Sequence, residues 1–340
     1  MKASLCIGAI FVWMTAEPPA KLCAAALLES GWLKPYVAPL FAGDFQLREV
    51  DVPGDAFYYS ASDSAHAFFV RVYQQAGGPL EQSILRRLHE EGASVCPILH
   101  TTSAQYALDT PPFRIDIKPL ISGGRSFNRS DADFSKIVSG LRKVHEVLAV
   151  VPEASLVKEA ALSRAQRHTS TQTRLTSLVR HNEWDQFPHV EAWARQHAAW
   201  LVEVCEDFDP GIHCLPGAQV LHGDIHPGNM LFLNDEVVFI DFEHSLYTFA
   251  PRLWDLAYLF QRCAVHDHLS AEALRRRRAE AEHIYQLDLT PLPDFMRHAS
   301  RLCVAILFTD LFENNAEIPI AELDKFFRLE QEALLLKSSW

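Results

Sequence analysis

The sequence predicts an α+β protein with two lobes, a small antiparallel β lobe followed by a larger, mainly helical lobe. Three observations support this fold class. Short β-rich runs separated by turn residues dominate from about Phe45 to Val72. Beyond Ser130 the apolar residues recur mostly at helical spacing. Inside this helical half, short strand-like pieces surround a run of polar residues, VLHGDIHPGNMLF. The arrangement is typical of two packed lobes.

In the first lobe, three runs predict the strands of an antiparallel meander, namely FQLREVDV, AFYYSAS and HAFFVRVY. A helix follows, because Leu80, Ile84, Leu85 and Leu88 share one face and Gly92 ends the pattern. Three further segments read as strands: VCPILHT, YALDT and FRIDIKPLI. We expect residues 1–118 to hold an N-terminal extension and this β-rich lobe.

Residues 119–340 form the predicted helical lobe, and residues 115–124 the connection to it. DADFSKIVSGLRKVHEVLA opens the lobe as a helix. Mostly helical sequence continues to about Cys205 and again from Pro251 to the end. The exception between them consists of three short strand-like pieces: AQVLHGD, NMLFLN and EVVFIDF.

Composition excludes some classes of function. The chain has 340 residues, 31 basic and 43 acidic, and a net charge of -12. This balance argues against a general binder of nucleic acid or of anionic membranes. The four arginines Arg275–Arg278 precede acidic residues, which predicts a solvated helix face.

The seven cysteines include no CxxC pair, so the usual zinc and redox spacings are absent. Reduced thiols in the cytoplasm are the simple interpretation. The opening MKASLCIGAIFVWMTA has the outline of a secretory signal, whereas a start at Met14 gives an ordinary cytosolic opening. Both interpretations stay open. The apolar run is too short for an ordinary membrane span, so no stable membrane insertion is expected.

The polar run carries the chemistry. In HGDIHPGN, Asp224 offers a carboxylate to a hydroxyl group, and Asn229 offers an amide oxygen to a hard cation. Asp241 follows the apolar strand VVFI, which would hold its carboxylate at a strand end. These oxygen donors favour Mg²⁺ over zinc. Phosphoryl transfer needs this combination, since it depends on positioning and charge neutralisation.

The pattern HxDxxxxN followed by IDFE resembles the aminoglycoside phosphotransferase and choline kinase-like family, distant relatives of protein kinases. The resemblance implies a protein-kinase-like fold, with Asp224 as the catalytic base and Asn229 and Asp241 as metal ligands. His222 is placed with the catalytic residues because it would brace this loop. In PRLWDLAYLF, the resemblance implies that Asp255 braces the same loop.

Glu243 has two interpretations. By resemblance to choline kinase-like members it is placed with the metal ligands, where it would touch a second metal or a cationic substrate. The alternative is a surface carboxylate at a strand end. Nearby, His226 is predicted to shape the loop.

The resemblance extends into the first lobe, which it implies is nucleotide-binding. Arg71 in FFVRVY occupies the strand position where the family places Lys or Arg on the phosphates. Glu81 on the next helix is its predicted partner, the alternative being an exposed first-turn residue. Residues Ile115 to Lys118 are expected to expose backbone to the adenine. No GxGxxG loop covers the phosphates, because SDSAH stands at that turn.

Together these features predict a small-molecule kinase. It would use ATP or GTP with Mg²⁺ to phosphorylate a hydroxyl of a small polar metabolite or antibiotic, of amino alcohol, homoserine, sugar or aminoglycoside type. The acidic balance weakly favours an amine-bearing substrate. A nucleotide-binding regulator with attenuated catalysis is the alternative, motivated by Arg71 and the glycine-poor turn. A protein kinase is the third reading, and it lacks recognisable DFG and APE motifs.

Overall fold

The computed structural model describes residues 24–50, 56–74, 80–104, 113–121, 123–207, 215–265 and 268–337. The signal-like opening and the predicted strand YALDT lie outside these residues. The chain divides into two compact units, Met1–Arg125 and Ser126–Trp340.

The first unit is built on a five-stranded antiparallel sheet in the order β1-β2-β3-β5-β4. Its strands are β1 Gln46–Glu49, β2 Phe57–Ser62, β3 Ala67–Gln74, β4 His100–Ala104 and β5 Phe113–Pro119. The predicted meander is confirmed as β1 to β3. Two short helices, α1 Ala24–Glu29 and α2 Lys34–Val37, precede the sheet, and α3 Leu80–Glu90 follows β3. Helix α3 begins and ends close to the predicted positions.

The two faces of this sheet differ because side chains alternate along a strand. On one face, apolar residues of β2, β3 and β5 form a buried core with Leu27, Leu33 and Val37. The opposite face of β3 and β5 carries Arg71 and Asp116, which are cross-strand partners. One face therefore stabilises the unit, while the other presents charged groups.

The strand predicted from FRIDIKPLI is confirmed as β5, whereas the prediction that residues 115–118 belong to an exposed connection is wrong. Asp116 pairs with Arg71 on β3 and with Thr101 on β4, so this segment is a central strand. Ile115 and Ile117 are fully buried. A central strand has its main-chain groups engaged by both neighbours, and no free backbone is left here for an adenine base. The alternation of isoleucines with charged residues is that of a strand with one apolar and one polar face.

The second unit is mainly helical. Its helices are α4 Asp131–Leu148, α5 Ala154–His181, α6 Pro188–Gln196, α7 Ala198–Asp207, α8 Leu253–Phe260, α9 Ala271–Tyr285, α10 Leu292–Asn314 and α11 Ile320–Lys337. The side chain of Ser130 caps α4 by accepting from the Asp133 main-chain N at 3.1 Å. Helices α5, α6, α7, α10 and α11 share one apolar core, in which Trp193 and Trp200 are buried. None of the helices in the described residues is long and apolar enough to cross a membrane.

The predicted strand island is confirmed within this helical unit. It consists of β6 Gln219–Val220, β7 Met230–Leu233, β8 Glu236–Phe239 and β9 Phe249–Ala250. Strands β7 and β8 form a hairpin, whose turn residues Asn234 and Asp235 both have positive φ, 49° and 68°. Two such residues are typical of the tight turn that matches strand twist. Strand β9 was not predicted, because its partner β6 lies about thirty residues earlier in the chain.

The prediction for the arginine run is wrong at Arg277. This residue is 2 % exposed. Its guanidinium donates to Asp131 Oδ1 at 3.0 Å and to the Cys263 carbonyl at 2.8 Å, and it lies 4.6 Å from the Phe134 ring centroid. Arg277 therefore fastens α9 to α4, since a buried guanidinium needs several acceptors.

Candidate active site

The polar loop between β6 and β7 is positioned by the hairpin that follows it. The Asn229 carbonyl accepts from the Ile240 main-chain N at 3.1 Å, which extends the β7–β8 pairing by one step. Asn229 is thereby held opposite the residue that precedes Asp241. The tight turn of the hairpin thus brings Asn229 and Asp241 close together, although they are well separated in the chain.

Asp224 and Asn229 are in direct contact. The Asn229 side-chain amide donates to the Asp224 carbonyl at 3.0 Å and to its Oδ2 at 3.3 Å. Because both of these atoms accept hydrogen bonds, the amide nitrogen faces Asp224 and Oδ1 points away. Asn229 is buried and Asp224 is half-buried. The pair therefore presents one carboxylate and one oriented amide oxygen.

His222 is fully buried and joins the loop to the end of β8. Its Nε2 donates to the Ile240 carbonyl at 3.0 Å, and its Nδ1 accepts from the Asp224 main-chain N at 3.3 Å. The ring also packs on Phe242, with centroids 4.4 Å apart. Both ring nitrogens are occupied by main-chain groups, so the geometry gives His222 a positioning role.

Asp255 on α8 holds the main chain of the loop, as predicted. It accepts from the main-chain N atoms of His222 and Gly223, each at 2.9 Å. His145 Nε2 lies 2.8 Å from the same carboxylate, and its Nδ1 lies 3.0 Å from the Tyr285 hydroxyl. Asp255 and His145 are both completely buried. A buried carboxylate with three donors fixes the loop more firmly than a surface contact does.

Gly223 is required by its surroundings as well as by its backbone angle. Its φ is +87°, a region that side chains disfavour. A Cβ at this position would lie 2.3 Å from Thr248 Oγ1, and that hydroxyl donates to the His244 carbonyl at 2.7 Å. The glycine thus allows the turn before β9 to approach the loop closely.

Histidines surround the Asp224 carboxylate. His226 Nε2 lies 3.4 Å from Asp224 Oδ2, and its Nδ1 accepts from the Gly228 main-chain N at 3.0 Å, which confirms its loop-shaping role. Burial opposes ionisation of Asp224, but the hydrogen bond from His226 and the nearby His244 outweigh it and lower the pKa of Asp224. Burial lowers the pKa of His244 itself. Asp224 is therefore ionised at neutral pH.

Asp241 and Glu243 follow β8. Asp241 is exposed and has a φ of 63°, a left-handed conformation that is uncommon outside glycine. This residue turns the chain from β8 into a 3₁₀ turn that begins at Glu243, which is half-buried. In the described part of the chain, no three His, Cys, Asp or Glu side chains are arranged to hold a metal ion. A divalent ion here would therefore depend on the amide oxygen of Asn229 beside the carboxylates.

In the first unit, the structure brings Arg71 and Glu81 together. Arg71 Nη2 donates to Glu81 Oε2 at 2.8 Å. Glu81 is 3 % exposed, so the alternative of an exposed first-turn residue is wrong. Burial opposes ionisation of Glu81, yet Lys118 and Arg71 hold its pKa below the usual value.

Sequence reasoning missed four further members of this cluster among the described residues, namely Tyr73, Arg114, Asp116 and Lys118. Asp116 Oδ2 accepts from the Tyr73 hydroxyl at 2.7 Å and from Arg71 at 3.3 Å. Lys118 Nζ donates to Glu81 at 3.3 Å. The available signal was the alternation in FRIDIK, which places every second residue on the same face as Arg71. The pattern belongs to the strand predicted from FRIDIKPLI, whose side chains were not assigned to this cluster.

The match to a family model decides the classification. Residues 54–297 match the model of the phosphotransferase enzyme family, APH. The chain belongs to this family. The match covers both the Arg71 strand and the Asp224 loop, so the resemblance inferred from the motifs is confirmed. A search of curated protein sequences finds no significant match.

Solved structures share the fold of this family member. Spectinomycin phosphotransferase APH(9)-Ia, crystallised with ADP and spectinomycin, has 18 % identity and a TM-score of 0.60, covering 90 % of this chain and 98 % of its own. A candidate aminoglycoside phosphotransferase from Ralstonia eutropha JMP134 has 16 % identity and a TM-score of 0.53, with 93 % and 97 % covered. Aminoglycoside phosphotransferase APH(4)-Ia has 11 % identity and a TM-score of 0.51, with 93 % and 99 % covered. At these identities the likeness establishes the kinase-like fold alone.

Proposed function

We propose that this phosphotransferase transfers the γ-phosphoryl group of ATP or GTP to a hydroxyl of a small polar molecule. The observation that carries the proposal is the contact between Asp224 and Asn229 on a loop immobilised by Asp255. Family membership supports the reaction class, and the nucleotide bound to APH(9)-Ia supports ATP as the donor.

Asp224 acts on the acceptor hydroxyl in this proposal. Its ionised carboxylate accepts a hydrogen bond from the hydroxyl and directs the oxygen towards the phosphorus atom. A lowered pKa makes the group a weak base, which suits a reaction in which the proton moves late. His222 and Asp255 keep the loop in register, so that the hydroxyl is positioned before reaction.

The donor set of the loop fits Mg²⁺. Asn229 Oδ1 and the carboxylate of Asp241 would hold the ion, with Glu243 as a further carboxylate nearby. An amide and carboxylates are hard oxygen ligands of the type that Mg²⁺ prefers. When bound, the ion neutralises charge on the phosphates. In the first unit, Arg71 paired with Glu81 contributes fixed positive charge towards the nucleotide.

The acceptor class is proposed more narrowly as an amine-bearing alcohol, such as an amino alcohol or aminoglycoside. The acidic balance of the chain and the IDFE sequence support this choice. APH(9)-Ia was crystallised with spectinomycin and APH(4)-Ia with hygromycin B, which supports an antibiotic as one candidate acceptor. We place the enzyme in the cytoplasm, where ATP and reduced thiols are available.

A transfer assay tests the function. Purified protein is incubated with labelled ATP, Mg²⁺ and a panel of amino alcohols, homoserine, sugars and aminoglycosides, and products are detected chromatographically. Asp224→Asn should reduce transfer by about 100-fold or more while its melting temperature is retained, since positioned acid–base groups contribute about that much. Asp185→Asn is the matched control, because its side chain is 89 % exposed. ATP binding without transfer across the panel would favour the nucleotide-binding regulator instead.

A further inference from the structure

Three buried polar side chains connect the end of α9 to the loop that carries Asp224. The Tyr285 hydroxyl lies 3.0 Å from His145 Nδ1, and His145 Nε2 lies 2.8 Å from Asp255 Oδ2. Tyr285 is 6 % exposed, and the other two are completely buried. Asp255 in turn accepts from two main-chain N atoms of the loop. A continuous path of hydrogen bonds therefore runs from α9 through α4 and α8 to the loop.

The chemistry of these groups decides where the protons lie. Burial raises the pKa of Tyr285, so its hydroxyl keeps its proton and donates. A neutral imidazole carries one N–H, and a hydroxyl that donates to Nδ1 leaves this N–H on Nε2. Nε2 faces the carboxylate of Asp255, which accepts hydrogen bonds only. Tyr285 and Asp255 therefore require the same tautomer of His145.

The His145 ring is also held in place from several sides. Its centroid lies 5.8 Å from that of the Tyr285 ring, and its main-chain carbonyl accepts from the Gln219 side-chain amide at 2.7 Å. One turn earlier on α4, Arg142 donates to the Ile284 carbonyl, next to Tyr285. A buried network in which each group has a partner holds one geometry, whereas loss of one member leaves a buried acceptor unpaired.

We propose that Tyr285 is a positioning residue for phosphoryl transfer, acting through His145 and Asp255 on the loop that places Asp224. Without its hydroxyl, His145 Nδ1 has no donor among the described residues, and one side of the ring is released. The third donor to Asp255 is then less well aligned, and the loop is held by fewer fixed contacts. Transfer is sensitive to small displacements of the positioned groups. The kinetic part of this inference rests on the proposed function.

Tyr285→Phe tests the role, because it removes the hydroxyl and keeps the ring. In the transfer assay, kcat should fall by about threefold to tenfold, the worth of one neutral hydrogen bond, while KM for ATP is unchanged. His145→Gln completes a double-mutant cycle, since its amide still donates to Asp255 and offers no ring nitrogen to Tyr285. In that background, Tyr285→Phe should lower kcat by less than about twofold. Tyr36→Phe, at a half-buried tyrosine of the first unit, is the matched control and should keep the wild-type kcat.

Two further measurements require no turnover. Amide hydrogen exchange at His222 and Gly223, which donate to Asp255, should become about threefold to tenfold faster in Tyr285→Phe, with exchange in α10 unchanged. ¹⁵N NMR of histidine-labelled protein should show the His145 ring proton on Nε2. The signal is assigned by its loss in His145→Gln.

Three results would overturn the inference: unchanged exchange at His222 and Gly223, a His145 ring proton on Nδ1, or an equal effect of Tyr285→Phe on kcat in both backgrounds. Faster exchange throughout the second unit, α10 included, would also overturn it, because Tyr285 would then contribute only to global stability. Absence of transfer by the wild type across the acceptor panel would instead refute the proposed function. The exchange and NMR results would still decide for or against the role of Tyr285 in holding the loop.

Discussion

Substituting Gly223 has two energetic costs, one from the backbone conformation and one from a steric overlap. An alanine there must adopt a φ of +87° and place its Cβ 2.3 Å from Thr248 Oγ1. The left-handed conformation costs about 1–2 kcal/mol and the overlap about 1–3 kcal/mol. Gly223→Ala is therefore expected to lower the free energy of unfolding by about 2–5 kcal/mol.

Gly217 provides the matched control, since its φ is +77° and a Cβ there would meet no atom within 4 Å. Gly217→Ala should cost only the conformational part, about 1–2 kcal/mol. Removing the Thr248 hydroxyl should then reduce the destabilisation caused by Gly223→Ala but not that caused by Gly217→Ala. In the double variant with Thr248→Ala, the interaction energy should be favourable by about 1 kcal/mol, because Thr248 Cβ still lies 2.9 Å from the new methyl group.

Urea denaturation, monitored by tryptophan fluorescence, measures these differences in the free energy of unfolding, with all variants at one pH and one protein concentration. The turnover number of Gly223→Ala should also fall by more than tenfold, because the residue precedes Asp224 and a small displacement of the carboxylate misplaces the hydroxyl. Equal costs at Gly223 and Gly217, or a strictly additive double variant, would refute the argument that Thr248 sets the requirement for glycine.

Two further predictions concern carboxylates of the second unit, the buried Asp255 and the half-buried Asp310. Asp255→Asn should lower the free energy of unfolding by about 2–4 kcal/mol in urea denaturation and should affect kcat more than KM. The reason is that one of the three donors to this carboxylate would then face an amide N–H. A change below about 1 kcal/mol, as expected for the control Asp185→Asn at an exposed residue, would contradict the bracing role. Burial raises the pKa of Asp310 to about 6, and its Oδ1 has no hydrogen-bond partner among the described residues. The folded state thus binds a proton that the unfolded state releases above its ordinary pKa of 3.8, so this carboxyl reduces stability progressively from about pH 4 to pH 6. The full rise of the Asp310 pKa, from 3.8 to about 6, corresponds to about 3 kcal/mol of stability. Partial exposure of the side chain reduces this to about 1–2 kcal/mol. Asp310→Asn should accordingly be more stable than the wild type by that amount above pH 6 and equal to it below pH 4, and a constant difference across this range would contradict the assignment.

Sequence-based predictions were correct where functional residues stand inside a clear local pattern of strands and helices. The strand island was predictable because β-branched runs flank a polar loop, and the pairing of Arg71 with Glu81 followed from a strand, a cation and a helix in order. Contacts between distant segments were not predictable in this way. Thr248 approaches Gly223 only because β9 pairs with β6, and neither two-residue strand has a pattern of its own.

Two errors share a physical cause. The arginine run was read as a solvated helix face, and residues 115–118 were assigned to an exposed connection, yet Arg277 and Asp116 are buried with several partners each. A charge tolerates burial when hydrogen bonds replace its hydration, and the partners come from other elements. A single sequence shows the charge and not the partners. The alternation of Ile115 and Ile117 around Asp116 was the better guide, because it indicates a strand with one apolar and one polar face.

The electrostatics of Asp224 bear on the kind of reaction that the loop supports. A residue that removes a proton before bond formation gains from a pKa near the working pH, as general bases do. Here the hydrogen bond from His226 and the nearby histidines outweigh burial and move the pKa of Asp224 in the opposite direction. Such a carboxylate orients a hydroxyl well and deprotonates it poorly. That combination suits phosphoryl transfer, in which the bond to the leaving group is largely broken before the nucleophile loses its proton, and it disfavours chemistry that needs an alkoxide at the outset.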